Sequence, residues 1–188
     1  MSKLETRPES VDYTWKIVLG GEGGVGKTTL LHRYISGEFK QDTTMTIGTS
    51  HQSVFVEKYG LKINCVFWDL GGQKRFDVLH PAYVGQATGA FICFDMSDVR
   101  TLEMVEKWIH LLRNHNSPFI PLILVGTKFD LVNDKVELDR QYKVADEIVQ
   151  GYNLNAFIVT SSKLNFNIDS AIGYMIDYLA WQASQGNL

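Results

Sequence analysis

The chain has 188 residues, enough to bury one core and too few for two comfortable ones. Eighteen lysines and arginines against 21 aspartates and glutamates leave a net charge of −3, which provides no general electrostatic attraction for nucleic acid or acidic lipid. Hydrophobic residues at 45% and aromatics at 12% exclude a disordered chain. Cys65 and Cys93 both sit in apolar runs, where a thiol behaves as a small hydrophobe, so the expectation is a reducing compartment without a disulfide framework. No apolar run approaches the roughly 20 residues that span a bilayer. Met1 to Glu5 has no signal-like core, Ser2 stands where myristoylation needs glycine, and the last residues carry no cysteine. The expectation is a cytoplasmic protein with no intrinsic lipid anchor.

Residues 1–12 are polar and aperiodic, with Pro8 among them, and read as a flexible tail. Trp15 to Leu19 is the first β-type run, and Thr28 to Ile35 a helix stopped by Gly37. From Thr49 to Glu57, Val54 and Val56 alternate with Ser53 and Glu57, which suits an edge strand paired back onto Leu61 to Trp68 through a Tyr59-Gly60 turn. Ala90 to Asp95, Pro121 to Val125 and Ala156 to Thr160 are continuous apolar runs, as in strands covered on both faces. Between them, Leu102, Val105, Ile109 and Leu112 share a helical face. Arg140 to Gln150 reads as a helix with Asp139 as N-cap and Gly151 as stop, and Ile168, Ala171, Ile172, Met175, Ile176 and Leu179 line the last helix. Trp108 and Trp181 read as helix-face or surface aromatics. The alternation predicts an α/β fold with a six-stranded, mostly parallel sheet over residues 13–182, followed by a short tail over 183–188.

Gly21-Glu22-Gly23-Gly24-Val25-Gly26-Lys27-Thr28 follows the first strand and opens a helix, matching the phosphate-loop pattern. Backbone N–H groups made accessible by glycine, with a helix N-terminus behind them, suit the dense negative charge of a polyphosphate. Lys27 is placed to reach the β- and γ-phosphates, and the Thr28 hydroxyl to ligate Mg²⁺, a hard cation that prefers oxygen. Asp69 closes the third strand, positioned to hold the ion through water; Gly72 can offer an N–H to the γ-phosphate, and Gln73 can orient a water. Thr127-Lys128-Phe129-Asp130 follows the fifth strand. Guanine presents two adjacent donors that one carboxylate, Asp130, can accept together, while the Lys128 stem packs along the ring. Ser161-Ser162-Lys163, after the last strand, can bring a backbone N–H to the guanine oxygen. The five histidines show no metal-ligand spacing.

The order of phosphate loop, Thr46-Ile47-Gly48, Asp69-x-x-Gly72-Gln73, Thr127-Lys128-x-Asp130 and Ser161-Ser162-Lys163 resembles the Ras superfamily of small GTPases over about residues 13–180. The resemblance implies a P-loop NTPase fold with a six-stranded sheet flanked by five helices, and GTP or GDP bound with Mg²⁺ at the C-terminal strand edge. Gly21, Gly23, Gly24, Val25, Gly26 and Thr29 would complete the nucleotide contacts along the loop. Phe39 is similar to the aromatic that packs against guanine, and Thr46 to the threonine that ligates Mg²⁺ only in the triphosphate state. Two nucleotide-sensing segments, residues 39–48 and 71–83, would be read by effector, exchange-factor and GTPase-activating proteins, on a chain that is a monomer by family default. The reaction implied is GTP hydrolysis, with Gln73, Lys27 and Thr46 in catalytic roles and no arginine placed to act in cis.

Some positions mix the patterns of several branches, and no branch is assigned. Thr127 is similar to the Rho-like residue, yet the helical insert of that branch is absent. Leu70-Gly71-Gly72-Gln73 resembles the Arf-like segment, and Gln73-Lys74-Arg75-Phe76 the Rab-like one, with lysine replacing the acid. Lys40 to Met45 lacks the aromatic that closes over the nucleotide, so a looser first segment is expected. Two rivals are a nucleotide kinase, which would need an acceptor pocket and lid arginines, and a GTP-binding interaction module with negligible hydrolysis.

Overall fold

The computed structural model describes residues 8–41 and 45–186. The tail expected at 1–7, the last two residues and positions 42–44 of the first sensing segment lie outside the described residues.

Among these residues the order is β1 (Tyr13–Gly20), α1 (Lys27–Ser36), β2 (Thr49–Lys58), β3 (Leu61–Leu70), α2 (His80–Val84), β4 (Gly89–Asp95), α3 (Val105–Asn114), β5 (Leu122–Thr127), α4 (Lys135–Gly151), β6 (Ala156–Val159) and α5 (Ile168–Ser184). The six strands form one sheet in the order β2-β3-β1-β4-β5-β6. Only β2 runs antiparallel, pairing Thr49 with Leu70 and Lys58 with Leu61. Its hairpin closes on Tyr59 and Gly60, both at positive φ (52° and 77°), the backbone that a two-residue turn between twisted strands requires.

The apolar runs are continuous because the sheet is covered on both sides. Ile17 and Leu19 of β1 face one core with α1 and α5. Val18, between them, faces the other with Trp108 of α3 and Ala145 of α4. Trp108 is therefore a core residue, 1% exposed, whereas Trp181 stays half exposed. The chain leaves β1 toward β2 and β3, then crosses back over β1 to β4, so the carboxyl end of β1 lies at the reversal point where open α/β sheets bind ligands.

Several expected boundaries shift. Helix α4 starts at Lys135, capped by the Asp134 carboxylate, which accepts from the Val136 N–H at 2.8 Å; Asp139 lies inside the helix. The first turn escapes apolar patterning because only Gln141 and Ala145 of this helix are deeply buried. Pro121 precedes β5, and Thr127 is that strand's last residue instead of the first of the loop. Leu102 closes a short 3-10 turn ahead of α3. Asp12, expected in the tail, is tied down: its N–H donates to the Lys62 carbonyl, and its carboxylate accepts from the Lys62 N–H.

Candidate functional site

At the carboxyl edge of the sheet lies a cleft of about 400 Å³ whose wall runs from Gly23, Lys27 and Gln73 at one end to Asp130 and Lys163 at the other. The loop between β1 and α1 forms its floor. Gly24 and Gly26 hold φ at +80° and +96°, so successive N–H groups curl into an anion-binding concavity ahead of α1. Lys27 is buried, and its ammonium donates to the Gly21 carbonyl at 2.7 Å and the Glu22 carbonyl at 2.9 Å. Burial pushes this ammonium below its usual range, and the Asp69 carboxylate works in the opposite direction. A cation so placed discharges its desolvation cost against any polyanion in the cleft.

Three residues from separate segments meet beside Lys27. The Thr28 hydroxyl lies 2.8 Å from the Thr46 hydroxyl, and both donate to one oxygen of Asp69, Thr28 at 2.5 Å and Thr46 at 3.2 Å. The other Asp69 oxygen, Oδ1, is buried without a hydrogen-bond partner among the described residues. Burial drives the Asp69 carboxyl above its usual range, against the opposing pull of Thr28, Lys27 and Thr46. An anionic oxygen left unpaired beside two hydroxyls is an oxygen-only donor set that fits a hard divalent cation such as Mg²⁺. Nearby, the Gln73 amide donates to the Met45 sulfur at 3.0 Å. Gly72 presses on the loop so closely that a Cβ there would stand 2.2 Å from the Gly21 carbonyl oxygen. Glycine is required for that approach.

At the far end, Phe39, Lys128, Asp130, Leu131, Ser162 and Lys163 line the cleft. The Lys128 ammonium pairs with the Asp95 carboxylate at 2.6 Å, and its backbone is left-handed at φ 55°. The buried Ser161 hydroxyl donates to Asp130 at 2.5 Å and accepts from the Leu164 N–H. The Ser161 N–H is spent on the Phe166 carbonyl, so Ser161 positions the carboxylate, and the N–H groups of Ser162 and Lys163 are the ones beside the cleft. Thr127 is buried, its hydroxyl 2.5 Å from the Val25 carbonyl and 2.9 Å from the Phe94 carbonyl, joining β4 and β5 to the phosphate loop. Thr29 is on the cleft wall, while Gly21, Val25, Asp69 and Ser161 stand behind it.

The model of the Ras family matches residues 16–180. The chain belongs to the Ras family. Ras-related protein YPTC6 of Chlamydomonas reinhardtii is 35% identical over 163 residues, which cover 87% of this chain and 74% of that protein. This Ras-family chain is a small GTPase: it binds guanine nucleotides and works as a molecular switch with regulatory partners. Among the described residues, no helix is long and apolar enough to cross a membrane.

Sequence reasoning about this GTPase missed two residues. Asp95 is the last residue of β4 and Asp69 the last but one of β3, so the same signal, a carboxylate at the carboxyl end of an apolar strand, was there to be used. His80 gave no signal, because its partner, Gly71, is brought to it only by the fold.

Proposed function

We propose that GTP and GDP lie along this cleft, with the phosphates on the loop between β1 and α1 and the guanine against Asp130, and that the chain hydrolyses GTP to GDP and phosphate. The observation that carries the reading is the meeting of Thr28, Thr46 and Asp69 beside Lys27 and Gln73, at the opposite end of one cleft from Asp130. Thr28, Thr46 and, through water, Asp69 would hold Mg²⁺, which when bound neutralises charge on the β- and γ-phosphate oxygens. Lys27 and the N–H groups of Gly23, Gly24 and Gly26 stabilise negative charge at the transferred phosphoryl group without reorganising during the reaction. The Gln73 amide orients the attacking water, with the Thr46 carbonyl as the second acceptor.

No described arginine lines the cleft. Ras-type sites without one in cis turn over on the order of 10⁻⁴ s⁻¹, and about 10⁵-fold faster when a partner supplies it. A rate that slow makes the chain a timer whose output is the arrangement of residues 39–48 and 71–83. Effector, exchange-factor and activating proteins read those segments, whose exposed side chains include Met45, Ile47 and Val78.

The test is Gln73→Leu, which keeps the cleft and removes the amide. GTP binding is retained and single-turnover phosphate release slows by about 10²-fold, the scale on which misplacing a reacting group costs rate. Equal rates in the two proteins would remove Gln73 from the mechanism. Negligible release from both would favour the GTP-binding interaction module.

A further inference from the structure

Among the described residues His80 is the one buried histidine, at 2% exposure, and nothing in nucleotide binding as described above uses it. Its ring sits against Trp108, with centroids 4.8 Å apart, and Trp108 in turn covers Gly20 at the end of β1. Nε2 lies 2.9 Å from the Gly71 carbonyl oxygen. A carbonyl only accepts, so Nε2 carries the proton and donates. On the other side, Nδ1 is 3.6 Å from the Asp77 carboxylate, itself held by Lys107 at 2.6 Å. The ring is fixed by packing on one side and by polar groups on the other.

The consequence lies one atom further along the chain. No peptide bond among the described residues is cis, so the carbonyl of Gly71 and the N–H of Gly72 point in opposite directions from one rigid plane. The Gly71 N–H, in the preceding peptide plane, donates to the Gly48 carbonyl at 2.8 Å and ties the chain just before that plane to the first sensing segment. His80 takes the carbonyl on the side facing α3. The Gly72 N–H is thereby aimed away from α3, where Gly72 itself lines the cleft against Gly21 and Glu22. No backbone carbonyl among the described residues accepts it. Two glycines in succession have little intrinsic preference for one orientation of the plane between them. An external donor has to choose it.

We propose that His80 is a positioning residue for the triphosphate state: by holding the Gly71 carbonyl it presets the Gly72 N–H as a donor to the γ-phosphate. The inference rests on GTP occupying the cleft as proposed above. It distinguishes His80 from a core residue, because the N–H it aims meets only the third phosphate, which GDP lacks.

The test compares His80→Leu, which keeps bulk and loses the donor, with His80→Gln, whose amide nitrogen can stand where Nε2 stands. Deleting a whole donor at such a site costs about 10²–10³-fold; loosening one costs less, about tenfold. The Leu variant should release GTP about tenfold faster and hydrolyse it about tenfold more slowly, with GDP release within twofold of the unsubstituted protein. The Gln variant should recover most of the loss. GTP and GDP release accelerating together, or no change in either, overturns the inference while leaving GTP binding untouched. An unsubstituted protein that binds neither nucleotide overturns the functional reading and this one with it. Should the Leu variant not fold, ¹⁵N-histidine spectra of the unsubstituted protein decide: the Nε2–H tautomer or doubly protonated ring supports the assignment, and the Nδ1–H tautomer overturns it.

Discussion

Replacing Thr127 by valine isolates one hydroxyl that joins the base end of the cleft to its phosphate end. Thr127 is 3% exposed, and its hydroxyl reaches the Val25 carbonyl at 2.5 Å and the Phe94 carbonyl at 2.9 Å. It has one proton, so it donates to one carbonyl at a time, and the shorter contact marks Val25 as the main acceptor. Valine has nearly the same shape and opens no cavity, but it sets a methyl against a buried carbonyl that water does not reach. Leaving such an acceptor unpaired costs about 1–3 kcal/mol. At about 2–4 °C per kcal/mol for a domain of this size, the melting temperature should fall by about 2–12 °C, measured with saturating GDP and Mg²⁺ in both samples. Because Val25 belongs to the phosphate loop, GDP dissociation should accelerate in the same variant, up to the roughly 150-fold equivalent of 3 kcal/mol. Thr127→Ser keeps the hydroxyl and should leave dissociation close to native. A valine variant that melts and releases GDP like the native protein would show that this hydroxyl does not brace the loop.

Asp130→Asn should exchange guanine for xanthine preference: the Ser161 hydroxyl holds the amide oxygen where it now donates to the carboxylate, turning the NH₂ toward the cleft as a donor. Competition between GDP and xanthosine diphosphate reads this, and an unchanged preference takes Asp130 out of base recognition. Asp95→Asn removes the charge that pairs with Lys128 and should speed release of both GDP and GTP by about two- to fivefold, the equivalent of up to about 1 kcal/mol for a partly exposed ion pair; stopped-flow rates equal to native would show that Lys128 holds its place without that charge. Burial pushes both Cys65 and Cys93 thiols up to about 12, so at pH 8 neither is a thiolate, and a disulfide reagent should modify neither until the protein unfolds. Rapid labelling of native protein would contradict the core described for β3 and β4.

What the sequence disclosed and what it withheld divide along physical lines. Strands β1, β4 and β5 were legible because a sheet covered on both faces needs unbroken apolar runs, and the phosphate loop because its glycines must follow a strand and precede a helix. The beginning of α4 was hidden by a first turn that faces water, and α2 is too short at five residues to have a period. Residues that act on chemistry directly, such as Lys27, Thr28 and Asp130, stand in local patterns. Those that hold them act across the chain: Thr127 on Val25 over 102 positions, Ser161 on Asp130 over 31, Asp95 at the end of β4 on Lys128 just past β5. Such pairings depend on sheet order, which no local window contains. Ser161 illustrates the difference, since its triplet pointed to the guanine while its hydroxyl is used to aim Asp130.

Titration calorimetry on folded, nucleotide-stripped protein, with Mg²⁺ present, asks whether the cleft takes a guanine nucleotide at all. One equivalent each of GDP and GTP should bind with measurable heat, and ATP should give none at the same concentrations. Heat from ATP alone, or from no nucleotide, would contradict the account from the phosphate loop to Asp130.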